Sequence, residues 1–189
     1  GLAYRQNDSK GGHVWRVLHK LNQCGTAESA IYRQGLGEFF LDDLWRYEAA
    51  WVVPSRELQG KLLTLLKDEP RAMQLHHKPY NMLSYAWGLK YQQSNQWAIE
   101  TLALAGAPDI PVTGATRQQA QAWLRTSGYQ PSTLNIDAPT RLGASVSAAN
   151  IAFDDHPNTK RFAGKIETTT VDSVFAWMAR AGLGQAPTV

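Results

Sequence analysis

A chain of 189 residues, 43% of them hydrophobic, can bury one sizeable core and is read as a single domain over 1–189. Its net charge of +3 comes from cations scattered along the chain rather than grouped in stripes, which gives nucleic-acid binding no footing. The lone Cys24 excludes an internal disulfide and a cysteine-rich metal site, and no apolar run approaches the about 18 residues of a membrane span.

Gly1-Leu2-Ala3-Tyr4-Arg5 reads as a strand already under way, with no initiator methionine and no visible signal peptide, so native residues are expected upstream of Gly1. Turn formers follow through Gly12. His13 to Asn22 then alternates, with Trp15, Val17, His19 and Leu21 on the face expected to point inward, and the flanking glycines argue a hairpin. Gln23 to Gly35 is read as irregular and Gly37 to Trp45 as a short helix. The strand after it, near 46–53, places Tyr47, Ala49, Trp51 and Val53 on one face.

Ser55 caps the next helix, whose Leu58, Leu62, Leu65 and Leu66 form one stripe. Glu69 to His76 adds a short helix. A loop through Pro79 leads to Ser94, where Trp97, Ala98, Thr101, Leu102 and Ala105 take up helical spacing until Gly106-Ala107-Pro108. Thr116 opens a helix carrying Ala120, Trp123 and Leu124 and ended by Gly128. Thr133 to Ile136 reads as a strand, 151–164 as a polar loop and Lys165 to Thr170 as a strand. Val171, Val174, Phe175 and Met178 mark the last helix, which Gly182 stops. The expected fold class is α+β, with strands near 2–5, 13–22, 46–53 and 165–170 in one mainly antiparallel sheet and helices packed on it. Trp51, Trp97 and Phe175 are expected in the core.

No phosphate-cradling glycine loop, paired-cysteine spacing, His-Glu-x-x-His helix or Gly-x-Ser-x-Gly elbow is present, and the sequence calls for no cofactor. The chemistry concentrates in Tyr91-Gln92-Gln93-Ser94-Asn95-Gln96-Trp97. Ser94 stands where a helix begins, beside unpaired backbone N–H groups at the positive end of the helix dipole. Two readings stand there, a capping serine and a nucleophile. Gln93, Asn95 and Gln96 either line an oxyanion pocket or are solvated first-turn residues. His19 is a hydrogen-bonded structural histidine or a general base for Ser94. His156 is a base oriented by Asp155, or the end of a solvated turn in which Asp154 or Asp155 caps the chain. A hard-metal site at Asp154, Asp155 and His156 lacks further ligands, so no metal is expected. His76-His77 balances charge at a short helix end.

Several segments together resemble the bacterial domain of unknown function 2145 family, nearly end to end. They include Gly1–Arg5, Val17-Leu18-His19-Lys20-Leu21-Asn22-Gln23-Cys24-Gly25, Phe39-Phe40-Leu41-Asp42-Asp43-Leu44 and Lys90-Tyr91-Gln92-Gln93-Ser94-Asn95-Gln96-Trp97. Asn150 to Asn158 and Glu167 to Phe175 complete the match. The arrangement also resembles the permuted papain-like domains of NlpC-type amidases and lecithin retinol acyltransferase-like enzymes. That likeness implies a catalytic histidine on an early strand, here falling just before Gly1, and a nucleophile at a helix start, where this chain has Ser94 in place of cysteine. It further implies a cleft with Tyr4 on the wall opposite Ser94, and a hydrolase or acyltransferase acting on an amide or ester. A serine hydroxyl is not ionised by a helix end as a thiol of pKa about 8.5 is, so it requires an aligned base. The alternatives are a non-catalytic module binding a peptide, glycan or protein partner and a structural subunit of an envelope assembly. A periplasmic or secreted setting is what the family resemblance implies.

Overall fold

A computed structural model describes residues 1–41, 48–111 and 113–189. It is an α+β fold built on two antiparallel sheets. The first joins β1 (Leu2–Asn7), β2 (His13–Asn22) and β3 (Ser29–Gly35) in that order, with Leu2 opposite Leu18 and His19 opposite Tyr32. The second pairs β4 (Ser132–Asn135) with β5 (Lys165–Thr168), Leu134 opposite Ile166. The expected single sheet is therefore corrected on two counts. The strand at 165–170 belongs to a separate sheet, and 48–53 is irregular apart from bridges that Trp51 and Pro54 make to Thr188 and Gly184 near the C-terminus. Residues 46 and 47 of that expected strand lie outside the described residues.

β3 replaces the irregular stretch expected at 23–35. Its Ala30 and Tyr32 face one way, Ile31 and Arg33 the other, so apolar and polar residues do not segregate by face. The short helix expected at 37–45 is α1 (Leu36–Phe40), and its last expected residues are among those not described.

The core lies between the first sheet and the helices. Side chains alternate across a strand, so Leu2, Tyr4 and Leu18 point together into it. This reverses the expected orientation of β2: the face bearing Trp15, Val17 and His19 looks away from the main core. His19 is still buried, because α1 and the chain start cover it. A Cβ added at Gly1 would lie 3.2 Å from both the His19 Cβ and the Phe39 ring.

The leucine stripe of α2 (Arg56–Lys67) is buried as expected, and Ser55 accepts a hydrogen bond from the Leu58 N–H. α3 (Glu69–Met73) follows after Asp68. The longest described helix, α4 (Ser94–Gly106), is buried on almost every side, with Trp97, Ile99, Thr101, Leu102 and Ala103 all inaccessible. α5 (Arg117–Thr126) begins with a capping box between Thr116 and Gln119. Gly128 then adopts φ +79°, a left-handed conformation glycine takes without a Cβ penalty, and stops the helix. α6 (Ala138–Ser147) and α7 (Asn158–Phe162) arise where a mixed segment and a polar loop were expected. α8 (Val171–Arg180) buries Val174, Trp177 and Met178.

The aromatic expectations divide. Trp97 is fully buried, whereas Trp51 is 51% exposed on the C-terminal bridge and Phe175 is only half-buried. No helix of the described residues is long and apolar enough to cross a membrane.

Candidate functional site

The polar stretch before and into α4 is where the sequence concentrates its chemistry, and here it does mechanical work. Residues 74–93 carry no strand or helix, so their backbone groups need partners from elsewhere. Gln92 and Gln96 supply several of them, and Gln93 fastens the end of the stretch to β5. Gln92 accepts at Oε1 from Lys20 Nζ at 3.0 Å and from the His77 N–H at 2.9 Å. It donates through Nε2 to the Leu75 carbonyl at 2.9 Å and to Glu100 at 2.6 Å. Gln93 donates to Thr168 Oγ1 at 2.8 Å and the Thr169 carbonyl at 2.7 Å, tying the start of α4 to the end of β5. Gln96 donates to the carbonyls of Tyr85, Ala86 and Gly88 and accepts from Ser84 Oγ at 2.8 Å. All three are buried rather than solvated, which corrects that reading of Gln93 and Gln96.

Ser94 is the first residue inside α4, and the cap is Gln93, whose side chain accepts from the Asn95 N–H. Ser94 is half-buried and its hydroxyl meets the Tyr80 hydroxyl at 3.4 Å. Among the described residues no histidine ring hydrogen-bonds it. The Asn95 amide donates to the Thr169 carbonyl at 3.3 Å. The side-chain amides expected to hold an oxyanion are thus already donating to the protein's own oxygens.

The other expected site residues have partners of their own. His19 Nε2 is 2.6 Å from Gln34 Oε1 and its ring meets Phe39 edge-on at 5.0 Å. Tyr4 is in the hydrophobic core, with the Arg33 guanidinium 6.0 Å from its ring. His156 is buried and not in a solvated turn. Asp155 Oδ1 lies 2.9 Å from its Nδ1, and Asp155 Oδ2 in turn accepts from the Tyr85 N–H at 2.8 Å. His156 Nε2 has no partner, and the Tyr85 ring lies 5.3 Å away. This is an oriented imidazole, held as a base would be held, inside the protein. Asp154 instead pairs with Lys90 on the surface.

A second polar cluster escaped the sequence reading. Lys20 is buried, donating to the His77 carbonyl at 2.5 Å and to Gln92. Beyond Gln92, Glu100 binds Arg117 Nε at 2.8 Å and accepts from Gln121 at 2.8 Å. Arg117 also donates to the Gly88 and Leu89 carbonyls. Burial, reinforced by the Arg117 charge and opposed by Glu100, lowers the Lys20 amine to about 7. Burial and the nearby Lys20 charge lower His76 to about 4. The available signal was a lysine on the same strand face as Leu18 and a glutamate inside the most apolar helix.

The outward face of the first sheet is different in character. Trp15, directly opposite Arg5, is 51% exposed, and Tyr32, opposite His19, is 38% exposed. Phe40 is 41% exposed and packs edge-on against Phe39 at 5.2 Å. Polar groups run between these rings: His19 is held by Gln34, whose amide donates to Glu38 at 3.2 Å. Among the described residues no group of three or more His, Cys, Asp or Glu is placed to hold a metal ion.

Compared with known proteins, residues 1–178 match a family described as an uncharacterized protein conserved in bacteria (DUF2145). No curated protein and no solved structure matches the chain.

Proposed function

The chain belongs to the bacterial DUF2145 family, and for this member we propose a glycan-binding module of the cell envelope, periplasmic or secreted, with its ligand on the outward face of β1–β3. The observation that carries the reading is the set of half-exposed rings, Trp15, Tyr32 and Phe40, around the His19–Gln34–Glu38 chain. A sugar ring presents an apolar C–H face and a rim of hydroxyls. Aromatic side chains cover the first while planar amide, carboxylate and guanidinium groups bond the second. Large exposed rings grouped on one face mark contact surfaces in general. The state of the α4 start supports binding over turnover, since the Gln93, Asn95 and Gln96 amides are engaged and Ser94 faces a phenol.

The test is titration of the full chain with chitotetraose, followed by tryptophan fluorescence, and co-sedimentation with purified cell-wall glycan. Trp15→Ala and Tyr32→Ala should each weaken binding about tenfold while leaving the melting temperature in place. Absence of saturable binding to either probe, or binding that ignores both substitutions, would overturn the reading.

One observation favours a second reading, a hydrolase or acyltransferase of papain-like descent. Ser94 occupies the first turn of the thirteen-residue α4 and is half-buried there. A thiol placed there by Ser94→Cys gains from the helix end. Alkylation of that variant by iodoacetamide well below pH ~8, together with ester hydrolysis that Ser94→Ala abolishes, is the result that reading requires.

A further inference from the structure

Between α2 and the C-terminal end of α4 lies a cavity of about 380 Å³ that no part of the glycan reading uses. Leu65, Leu104, Pro108 and Ile110 give it apolar walls, and two cations, Lys61 and Arg71, line it as well. Both cations are partly exposed. Neither is fully used. Lys61 Nζ meets Glu57 at 2.7 Å with one of its three N–H bonds. Arg71 holds Asp68 through Nε at 3.0 Å, and its two terminal amino groups have no partner among the described residues. An apolar chamber with spare cationic donors in its lining is complementary to a molecule with one carboxylate and one hydrocarbon tail. At roughly 30 Å³ per non-hydrogen atom, taken from the share of a water molecule in the liquid, the volume holds about a dozen such atoms.

We propose that this cavity binds a medium-chain fatty acid of about ten carbons, its tail against Leu65, Leu104 and Ile110 and its carboxylate on Arg71 and Lys61. The guanidinium supplies a fork that matches a carboxylate, and the lysine adds charge. Thr64, exposed on α2 and lining the same cavity, marks where a large side chain would close it.

The experiment is calorimetric titration of the full chain with decanoate, and with decanol as the uncharged match. The expected result is one saturable decanoate site, at least tenfold weaker binding of decanol, and at least tenfold weaker decanoate binding by Arg71→Ala. Thr64→Trp should abolish binding, and Trp15→Ala should leave it unchanged, which separates this site from the sheet face. Far-UV circular dichroism and urea unfolding establish that each variant is folded. The charge-reversing Lys61→Glu, also at an exposed position, gives an independent tenfold loss if Thr64→Trp fails that check. No saturable binding by the unmodified chain, equal affinity for decanol and decanoate, or undiminished binding by folded Thr64→Trp would each overturn the proposal.

Discussion

The amine of Lys20 reaches the carboxylate of Glu100 through one neutral side chain: Gln92 accepts from the first at 3.0 Å and donates to the second at 2.6 Å. All three residues are buried, so the bridge joins β2, the loop before α4 and α4 itself through groups that water cannot replace.

Removing the carboxylate should therefore cost far more than a surface substitution. Glu100→Ala leaves Arg117, Gln121 and Gln92 donors without their acceptor and is expected to lose about 3–5 kcal/mol of stability. Gln92→Ala should lose about 1–3 kcal/mol for each group it leaves unsatisfied. Urea unfolding gives both values, with the exposed Glu57→Ala as a surface reference.

Stability should also rise with pH above neutrality, and the sign follows from Lys20. Its folded-state value near 7 lies below the ordinary 10.5, so between those limits the unfolded chain holds more protons than the folded one. The benefit is complete above 10.5 and is lost as pH falls through 7. Urea midpoints at pH 6, 7, 8 and 9 should climb, and Lys20→Met should flatten the climb. His76, lowered to about 4 from 6.5, gives a second rise between those two values, which His76→Gln should remove.

The two tryptophans should separate cleanly in a melt. Trp97→Ala empties a fully buried site and is expected to cost about 3–5 kcal/mol. Trp51→Ala, half in solvent, should cost less than about 1 kcal/mol, since the backbone bonds to Thr188 survive it. Equal shifts in melting temperature would contradict the burial described.

Capping should follow Gln93 and not Ser94. Gln93→Ala loses the cap and the bonds to Thr168 and Thr169, for about 1–3 kcal/mol. Ser94→Ala should stay within about 0.5 kcal/mol. Chemical denaturation of the two variants side by side measures the difference.

Legibility in the sequence tracked periodicity. The leucines of α2 announced themselves because one face meets the core and its spacing records that, the run of α4 because it is apolar nearly all round, and β2 by its alternation. β3 did not, since its outward side carries Tyr32 and its inward side Arg33, so neither face is purely apolar. The inward face of β2 was misread for a related reason: His19 and Val17 are buried by a second cover, Phe39 and the chain start, which periodicity cannot distinguish from the main core. At the candidate site, the helix start and the weight of polar residues around Ser94 were legible. Their partners were not, because Gln93 reaches Thr168 and Gln92 reaches Lys20 across 75 and 72 positions of sequence. Asp155 and His156 looked like a solvated turn for the same reason, as their cover comes from Tyr85.

The glutamine fasteners give this fold a vulnerability of a single atom. Gln96 offers its amide nitrogen to three carbonyl oxygens at once. Deamidation to glutamate would keep shape and volume, yet turn that donor into an oxygen facing three oxygens, with a buried negative charge added. The same exchange at Gln92 would set a carboxylate against Glu100 while improving its contact with Lys20. Either exchange should register in residues 74–93, as new protease sensitivity there, while the leucine-packed α2 stays intact.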